Sequence, residues 1–319
     1  MESSAGVPTL KFADFVSGDA TARSDFARAL RDAFLDFGFA ILEQPPLPTA
    51  GPGSIGEVYR AFEHFFALDR REKNKSGGSA GGQRGYTRFG IEQARDHAVP
   101  DLKEFFHVGP VVDRTNRLLD SYPENIWPSA VPSIEIHATL LFDALQSCAM
   151  VLLEALELAE GLPSGSFSAM LQHGNHVLRA LHYPPIPVDA HPASLRAAPH
   201  EDINLITLLC EASDPGLEIL RPDGRWLPVE APSGQLVVNT GDMLARITNG
   251  AIRATTHRVT NPVGSSTGHR YSLPFFAHPR PECDLSVLPQ FITRDAPPRT
   301  PPITAGEFLA ERLREIGLS

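Results

Sequence analysis

After Gly161 the sequence becomes a succession of short runs rich in β-branched and aromatic residues. These runs are HVLRALHYP, INLITLLCEA, LEIL, WLPVE, QLVVNTGDMLARITNG, IRATTHRVT and RYSLPFFAHP. The turn-forming pieces SDPG, RPDGR, APSG and NPVGSSTG lie between them. Many short strands at regular spacing predict a sandwich, a barrel or a jelly roll rather than alternating βαβ units.

The remainder of the chain has helical patterns. Phe26, Leu30, Ala33 and Phe37 recur at helical spacing before Gly38, and a long helix is expected from about residue 133 to 159. Thr304 and Glu307 form a capping-box pattern that begins the helix of the C-terminal region, residues 291–319. We therefore expect one domain over 1–319, with a mostly helical region at 1–172 and a jelly-roll core at 173–290. The predicted fold class is a mainly β core in a helical shell.

The charge balance limits the partners. The formal net charge is −10, and no long run of Lys or Arg is present. This argues against nucleic acid or an anionic membrane as the main partner. Nothing in the sequence indicates the oligomeric state.

Features that would indicate export or disulfide bonding are weak. The three cysteines are far apart and form no CxxC pair, which supports neither a disulfide framework nor a zinc ribbon. The segment MESSAGVPTLKF lacks a basic stretch followed by an apolar one, and the most apolar stretch, 149–158, is too short to span a bilayer. We expect a cytoplasmic protein.

The stretch PHEDINLITLL, residues 199–209, joins polar residues to a strand-like run. In a strand, His200 and Asp202 would project from the same face, opposite to Glu201. His257 lies on another predicted strand, 55 positions after Asp202. Two imidazoles and one carboxylate can form the facial triad that binds Fe(II) and leaves positions open for oxygen. Zinc accepts the same ligand types, so these residues alone do not select the metal.

A second constellation lies in HRYSLPFF, where Arg270 and Ser272 share a strand face. A guanidinium with a hydroxyl beside it suits a carboxylate, held by parallel charge-assisted hydrogen bonds. A cation that faces a β core needs an anionic partner, because its burial alone is costly. A ligand carboxylate is the economical hypothesis.

The other histidines are predicted to lie outside the site. We expect His107 to be a packing or supporting residue, and His269 and His278 to be solvated beside turns. His182 alternates with Tyr183 and should face the opposite side of its strand.

Two further groups of polar residues have more ordinary interpretations. Asn239 and Asp242, in NTGD, are interpreted as turn residues rather than ligands. Arg84, Tyr86 and Arg88 follow a Gly-rich loop, so a place in a substrate pocket and a place in an exposed loop are equally compatible with the sequence.

Taken together, these motifs resemble the isopenicillin N synthase-like family of non-haem Fe(II), 2-oxoglutarate-dependent oxygenases. The resemblance covers nearly the whole chain, through FGFAIL, RGYTRFG, DLKEFFHVG, LRALHYPP, HEDINLITLL, GLEIL, GQLVVNTGDML, ITNG, TTHRV and RYSLPFF. It implies a double-stranded β-helix, or cupin-like jelly roll, wrapped by helices. It also implies Fe(II), 2-oxoglutarate and O₂ as cofactor and cosubstrates.

The resemblance assigns roles residue by residue. It implies that His200, Asp202 and His257 are the iron ligands, and that Arg270 and Ser272 bind the distal carboxylate of 2-oxoglutarate. Tyr183 would add a hydroxyl to that site. Its neighbours, Leu181 and His182, stand where plant members commonly have Asn and Tyr.

The leading functional hypothesis is a dioxygenase that oxidises a small molecule by hydroxylation, desaturation or ring closure and converts 2-oxoglutarate to succinate and CO₂. One alternative is an iron oxidase of the isopenicillin N synthase type, which needs no 2-oxoglutarate and would use Arg270 to hold a substrate carboxylate. Another is a binding protein that has kept the fold without turnover. The sequence does not identify the substrate.

Overall fold

The computed structural model describes residues 6–78, 83–93, 99–116, 122–191, 193–230, 232–262 and 268–316. Part of the predicted Gly-rich loop, residues 79–82, lies outside the described residues. Two β-sheets form the centre of the described structure, and helices cover one face of the larger sheet. This is the jelly roll with a helical shell that the sequence predicts.

The larger sheet has eight strands in the order β1-β2-β10-β7-β12-β5-β4-β3. Its strands are β1 (Thr9–Lys11), β2 (Phe39–Glu43), β3 (Gly85–Thr87), β4 (Glu104–Val108), β5 (Val177–Tyr183), β7 (Ile206–Cys210), β10 (Leu236–Thr240) and β12 (Arg270–Ala277). The smaller sheet has the order β6-β11-β8-β9. Its strands are β6 (Ala197–His200), β8 (Leu217–Leu220), β9 (Trp226–Pro228) and β11 (His257–Val259).

The described helices lie mainly before the smaller sheet in sequence. They are α1 (Phe12–Val16), α2 (Ala20–Asp36), α3 (Ile55–Ala67), α4 (Arg70–Asn74), α5 (Ser133–Ala159), α6 (Ser168–Leu171), α7 (Asp242–Ile247) and α8 (Ala305–Glu315). The predicted end of α2 is confirmed by Gly38, whose φ of 67° suits a residue without a Cβ. The capping box that begins α8 is also confirmed.

Helix α5 is the centre of the helical layer. Within the described part of the chain it is long and apolar enough to cross a membrane by length and composition, and its 27 residues extend well beyond the apolar stretch noted in the sequence. In this fold it packs against α2, α3 and the larger sheet, and it contributes many side chains to the main hydrophobic core. A buried core helix has the same composition as a membrane span, so the finding is weak evidence for a membrane.

The larger sheet is buried on both faces, and side chains alternate between them. On β5, Leu178 and Ala180 belong to the core shared with the helices, whereas Leu181 and Tyr183 pack against Ala197 and Val259 of the smaller sheet. On β10, Leu236 and Val238 face the helices, whereas Val237 packs with the smaller sheet. The sheets therefore face each other, and every second residue of a large-sheet strand points between them.

Two expectations about local structure were wrong. The segment 199–209 is not one strand, because β6 ends at His200 in the smaller sheet and β7 begins at Ile206 in the larger one. Between them, the carbonyl oxygens of Asp202 and Leu205 accept hydrogen bonds from the backbone amides of Asp242 (2.7 Å) and Gly241 (2.9 Å). The segment QLVVNTGDMLARITNG is also not one strand. Its first part forms β10, and α7 begins at Asp242.

We predict that the core of α5 sets the stability of the fold. Leu145→Ala should lower the free energy of unfolding by about 2–5 kcal/mol, because Leu145 is fully buried and the deletion leaves a cavity. Leu140→Ala on the same helix is the matched control, since Leu140 is exposed and should change stability by less than about 1 kcal/mol. Urea titration measures both variants. Equal losses in the two would contradict the packing described for α5.

Candidate metal centre

The structure brings His200, Asp202 and His257 together at the junction of the two sheets. One ligand atom from each lies within 4.8 Å of the others. His200 and His257 are directly paired across the antiparallel strands β6 and β11. Asp202 Oδ1 lies 4.0 Å from His200 Nε2 and 3.8 Å from His257 Nε2. The three atoms converge as the sequence pattern predicts.

Hydrogen bonds fix which nitrogen of each imidazole faces the centre. His200 Nδ1 lies 2.7 Å from the carbonyl oxygen of Ala198, and His257 Nδ1 lies 3.0 Å from that of Thr255. A carbonyl only accepts, so the proton of each neutral ring belongs on Nδ1. Both Nε2 atoms then present a lone pair toward Asp202, which is the tautomer that a metal needs.

Asp202 is oriented by two further donors. Its Oδ2 accepts hydrogen bonds from Thr207 Oγ1 (2.6 Å) and Asn239 Nδ2 (2.7 Å). Asn204 in turn donates to Thr207 Oγ1 at 3.1 Å. Because Oδ2 is occupied, Oδ1 is the oxygen that faces the two histidines. The carboxylate is thus held in position by residues of β7 and β10.

The surroundings of His200 and Asp202 shift the pKa values of these two groups toward the forms that bind a cation. Burial, with the neighbouring His257, lowers the pKa of His200 to about 4, so that ring is neutral at physiological pH. Burial raises the pKa of Asp202, but His257, His200 and the two hydrogen bonds to Oδ2 outweigh it, and the net pKa is lowered. Two imidazoles and one carboxylate are a donor set that fits a divalent cation.

The second predicted group, Arg270, Ser272 and Tyr183, lies on neighbouring strands of the larger sheet. Arg270 and Tyr183 are paired between β12 and β5, and the guanidinium lies 5.0 Å from the Tyr183 ring centroid. Arg270 is almost completely buried; its Nε donates to the carbonyl oxygen of Asp214 (3.0 Å), but its Nη1 has no partner. No carboxylate of the described residues forms an ion pair with it. A buried, unpaired guanidinium fits a ligand carboxylate.

Two separate cavities adjoin these groups. Arg270 borders a cavity of about 230 Å³ together with Asp214, Leu217 and Val237. His200 and Asp202 border another, of about 300 Å³, whose lining does not include the Arg270 group. The structure therefore places the metal centre and the arginine in the same interior but on different cavities.

A cluster of charged and polar side chains lines the cavity that His200 and Asp202 border, and the sequence analysis did not predict this cluster. Lys103 Nζ lies 2.6 Å from Glu92 and 2.8 Å from Asp101, and Arg179 lies 3.1 Å from Glu92. Arg179 Nε also donates to His107 Nε2 at 2.6 Å. All five residues line the cavity. Their only sequence signal was that Arg179 and His107 alternate with apolar residues on predicted strands.

Several predictions about individual residues were wrong. His278 is buried and lines the cavity rather than being solvated, whereas His269 is exposed as expected. Asn239 lies within β10 and donates to Asp202 instead of forming a turn. Two other predictions are confirmed. His107 is a supporting residue, since it accepts a hydrogen bond from Arg179. His182 faces away from the site, and its Nδ1 lies 2.7 Å from Glu104.

The contacts of the residues after the Gly-rich loop decide between the two interpretations left open by the sequence. Arg84 and Tyr86 are buried, and neither lines the cavity beside the metal centre. Arg84 donates to Asn175 Oδ1 (2.8 Å), and Tyr86 donates to Glu104. Neither alternative describes Arg84 and Tyr86, whose buried side chains bind other parts of the fold, whereas Arg88 is exposed, as the loop interpretation expects.

Comparisons with known proteins agree with this geometry. The sequence model of the 2OG-Fe(II) oxygenase superfamily matches residues 174–279, and that of the "non-haem dioxygenase in morphine synthesis N-terminal" region matches residues 7–130. A 2-oxoglutarate-dependent dioxygenase of Aspergillus rugulosus is 31% identical over 328 residues, covering 94% of this chain and 96% of the relative.

Solved structures are similar over almost the whole chain. A 2OG-Fe(II) oxygenase family protein from Caulobacter crescentus has a TM-score of 0.84 and 38% identity, covering 98% of this chain and 100% of that one. A full-length Neurospora crassa protein, solved in complex with alpha-KG (2-oxoglutarate) and thymine, has a TM-score of 0.85 and 26% identity, covering 98% of both chains.

We predict that Asn239 strengthens metal binding without touching the metal. Asn239→Ala should weaken Fe(II) binding by about 10–100-fold, because Asp202 loses a hydrogen bond that aims its Oδ1. Asn74→Ala, at an exposed position of α4, is the matched control. Anaerobic Fe(II) titration against a competing chelator measures the affinity. Unchanged affinity in a folded Asn239→Ala protein would contradict the role of this hydrogen bond.

Buried neutral histidines also predict a pH dependence of stability. Burial lowers the pKa of His176 to about 3 and that of His278 to about 4. The unfolded chain takes up these protons first as the pH falls below about 6.5, so the free energy of unfolding should fall between about pH 6.5 and pH 4. His176→Gln should reduce that slope by up to about 1.4 kcal/mol per pH unit. Urea titrations at several pH values measure it, and an identical slope in the variant would contradict the assignment.

Proposed function

The chain belongs to the 2OG-Fe(II) oxygenase superfamily, and on this premise we propose which of its residues carry out the reaction. The protein is an Fe(II)- and 2-oxoglutarate-dependent dioxygenase that oxidises a small-molecule substrate and converts 2-oxoglutarate to succinate and CO₂. Its relatives named as 2-oxoglutarate-dependent favour this activity over a cosubstrate-free oxidase or a binding protein.

We propose that His200, Asp202 and His257 hold the iron. The observation that carries this assignment is the convergence of two Nε2 lone pairs and one carboxylate oxygen within 4.8 Å. Three protein ligands on one side leave other positions for exogenous ligands. When bound, Fe(II) with 2-oxoglutarate supplies the activation of O₂ and the two-electron oxidation of a substrate C–H bond.

Arg270 is proposed to bind the distal carboxylate of 2-oxoglutarate, with Ser272 and Tyr183 as hydroxyl donors. Support comes from the buried Nη1 of Arg270 that lacks a partner, and from the absence of a described acid paired with it. Ser272 stands two residues along the same strand face, and Tyr183 is the cross-strand neighbour of Arg270. These three side chains lie in the interior, where water competes little for the carboxylate.

The remaining residues position the reaction and exclude solvent. Thr207 and Asn239 hold Asp202, while the carbonyl oxygens of Ala198 and Thr255 hold the two imidazoles. Helix α8 places Leu309 and Leu313 along the cavity beside the metal centre. The substrate is proposed to enter this cavity, because it is the one that His200 and Asp202 border.

The substrate and setting are proposed on more limited grounds. The Neurospora crassa protein has been solved with thymine and with 5-formyluracil, both small and uncharged, and this supports a small polar substrate here. The net charge of −10 supports a protein that binds neither nucleic acid nor an anionic membrane. A cytoplasmic location remains part of the proposal.

We predict that Arg270 governs affinity for 2-oxoglutarate. Arg270→Lys keeps the charge but loses the planar fork, and one charge-assisted hydrogen bond contributes about 1.5–3 kcal/mol. The affinity should therefore weaken by roughly ten- to a hundredfold, and Arg270→Leu should weaken it more. The visible absorption of the Fe(II)–2-oxoglutarate chelate, titrated without oxygen, measures this affinity.

The exposed Arg28→Lys change on α2 serves as the matched control for that titration. If wild type shows no chelate absorption and forms no succinate, the proposed function is wrong. If the chelate forms normally in Arg270→Leu, the role of Arg270 is wrong while the function stands.

A further inference from the structure

We propose that Asp101 is a positioning residue for the iron ligand His200, and that Lys103 holds Asp101 in place. Asp101 acts through the backbone of Ala198 rather than by contact with the metal. The inference deepens the proposed function and rests on it, because it treats His200 as an iron ligand. It is carried by an irregularity in the strand ladder and by the hydrogen bonds that form there.

Strands β6 and β11 pair irregularly next to the candidate metal centre. His200 is paired with His257. The next pair along the ladder is Ala197 with Val259, so two residues of β6 lie opposite one residue of β11. This is a β-bulge, a feature that interrupts the ladder and can re-aim a neighbouring side chain.

The two bulged residues are Ala198 and Pro199. Pro199 has no N–H group, so Ala198 has the only amide donor of the bulge. That amide donates to Asp101 Oδ1 at 3.0 Å, while the carbonyl oxygen of Ala198 lies 2.7 Å from His200 Nδ1. Asp101 and His200 therefore bind the two backbone polar groups of one residue. A displacement of Asp101 would move the carbonyl oxygen that orients the imidazole.

Asp101 is itself held by further contacts. Its Oδ2 accepts from Lys103 Nζ at 2.8 Å, and its backbone amide donates to the carbonyl oxygen of Glu92 at 3.1 Å. The next residue, Leu102, donates its amide to the carbonyl oxygen of Leu195 at 2.9 Å, which ties this segment to the residues that precede β6. Only 2% of Asp101 is exposed. A buried carboxylate with both oxygens engaged fixes the position of the amide that donates to it.

Lys103 makes this anchor a charged one. Burial lowers the pKa of Lys103, but the carboxylates of Glu92 and Asp101 outweigh burial, and the net pKa is raised. The ammonium group is therefore charged at physiological pH. Its hydrogen bond to Asp101 is charge-assisted, and such bonds are shorter and stronger than those between neutral groups.

A second buried carboxylate gives a matched comparison. Glu157 on α5 is 2% exposed, and it accepts hydrogen bonds of 2.6–2.8 Å from the backbone amides of Gly165, Phe167 and Ser168. It does not line the cavity beside the metal centre. Loss of Glu157 therefore shows what removal of a buried carboxylate that binds backbone amides does to the fold alone.

Asp101→Ala removes the acceptor of the Ala198 amide and should change the iron site. We expect Fe(II) affinity to weaken by about tenfold or more, because an outer contact that orients an iron ligand is lost. The visible band of the Fe(II)–2-oxoglutarate chelate should also shift, since His200 is aimed differently. Anaerobic titration against a competing chelator measures the affinity, and anaerobic absorption measures the band. Wild-type affinity and band position in a folded Asp101→Ala protein would overturn the inference.

The matched variant separates positioning from stability. Glu157→Ala should lower the midpoint of urea unfolding but leave Fe(II) affinity and the chelate band unchanged. If Glu157→Ala changes the affinity and the band as much as Asp101→Ala does, a general loss of stability explains both and the inference is overturned.

Asp101→Asn keeps the shape of the side chain but gives Lys103 a neutral partner. We expect the same changes as in Asp101→Ala at a smaller size, with an Fe(II) affinity between those of wild type and Asp101→Ala. If Asp101→Ala does not fold, this variant decides. Wild-type affinity and band position in it would then overturn the inference.

The same titrations distinguish the inference from the function on which it rests. The chelate absorption of wild type with 2-oxoglutarate reports the proposed function and does not depend on Asp101 variants. If that absorption forms and the Asp101 variants leave it unchanged, the inference about Asp101 is wrong and the oxygenase assignment stands. If the absorption does not form in wild type, the proposed function has failed first.

Discussion

The larger sheet is buried on both faces, and the rest of the molecule depends on how its side chains divide between them. Leu178, Leu208 and Leu236 point toward the helices and form the main core. The alternate residues point toward the smaller sheet, where polar groups such as Thr207, Asn239 and Arg270 are held among apolar neighbours. Successive side chains of a strand point to opposite faces. The face toward the smaller sheet therefore has the polar residues of the site, and the face toward the helices has the side chains of the main hydrophobic core.

The candidate metal centre lies where the chain crosses between the two sheets. β6 ends at His200 in one sheet, β7 begins in the other, and Asp202 lies on the connection between them. Free of a strand ladder, the Asp202 carboxylate can be held by Thr207 and Asn239 from the larger sheet while it faces His257 of the smaller one. Both sheets thus contribute to the position of one carboxylate, and a rigid site results.

Local sequence patterns predicted the residues of this centre but not all of their surroundings. The spacing of His200 and Asp202 is a weak signal on its own, and it gained weight only from His257, from Arg270 with Ser272 and from the wider family resemblance. The structure brings one ligand atom each of His200, Asp202 and His257 within 4.8 Å of the others. The same spacing suggested a continuous strand, which was wrong, since the chain changes sheets at that point. Strand alternation did predict that His182 would face away from the centre.

Residues whose roles depend on distant partners were harder to predict. Asn239 looked like a turn residue because its partner, Asp202, is 37 positions away. His278 sits beside Pro279, which suggested a solvated turn, yet the fold buries it. The pairing of Arg179 with Glu92 joins residues 87 positions apart, and no local pattern indicates it. Such contacts follow from how the sheets pack, which a single sequence does not display.

The central claim is that three residues from two sheets bind one iron, with 2-oxoglutarate anchored by Arg270. Anomalous diffraction at the iron edge, from anaerobic crystals grown with Fe(II) and 2-oxoglutarate, tests it most directly. The account predicts one iron peak at bonding distance from His200 Nε2, Asp202 Oδ1 and His257 Nε2, and a ligand carboxylate on the Arg270 guanidinium. An iron peak on other side chains, or 2-oxoglutarate bound away from Arg270, would contradict it.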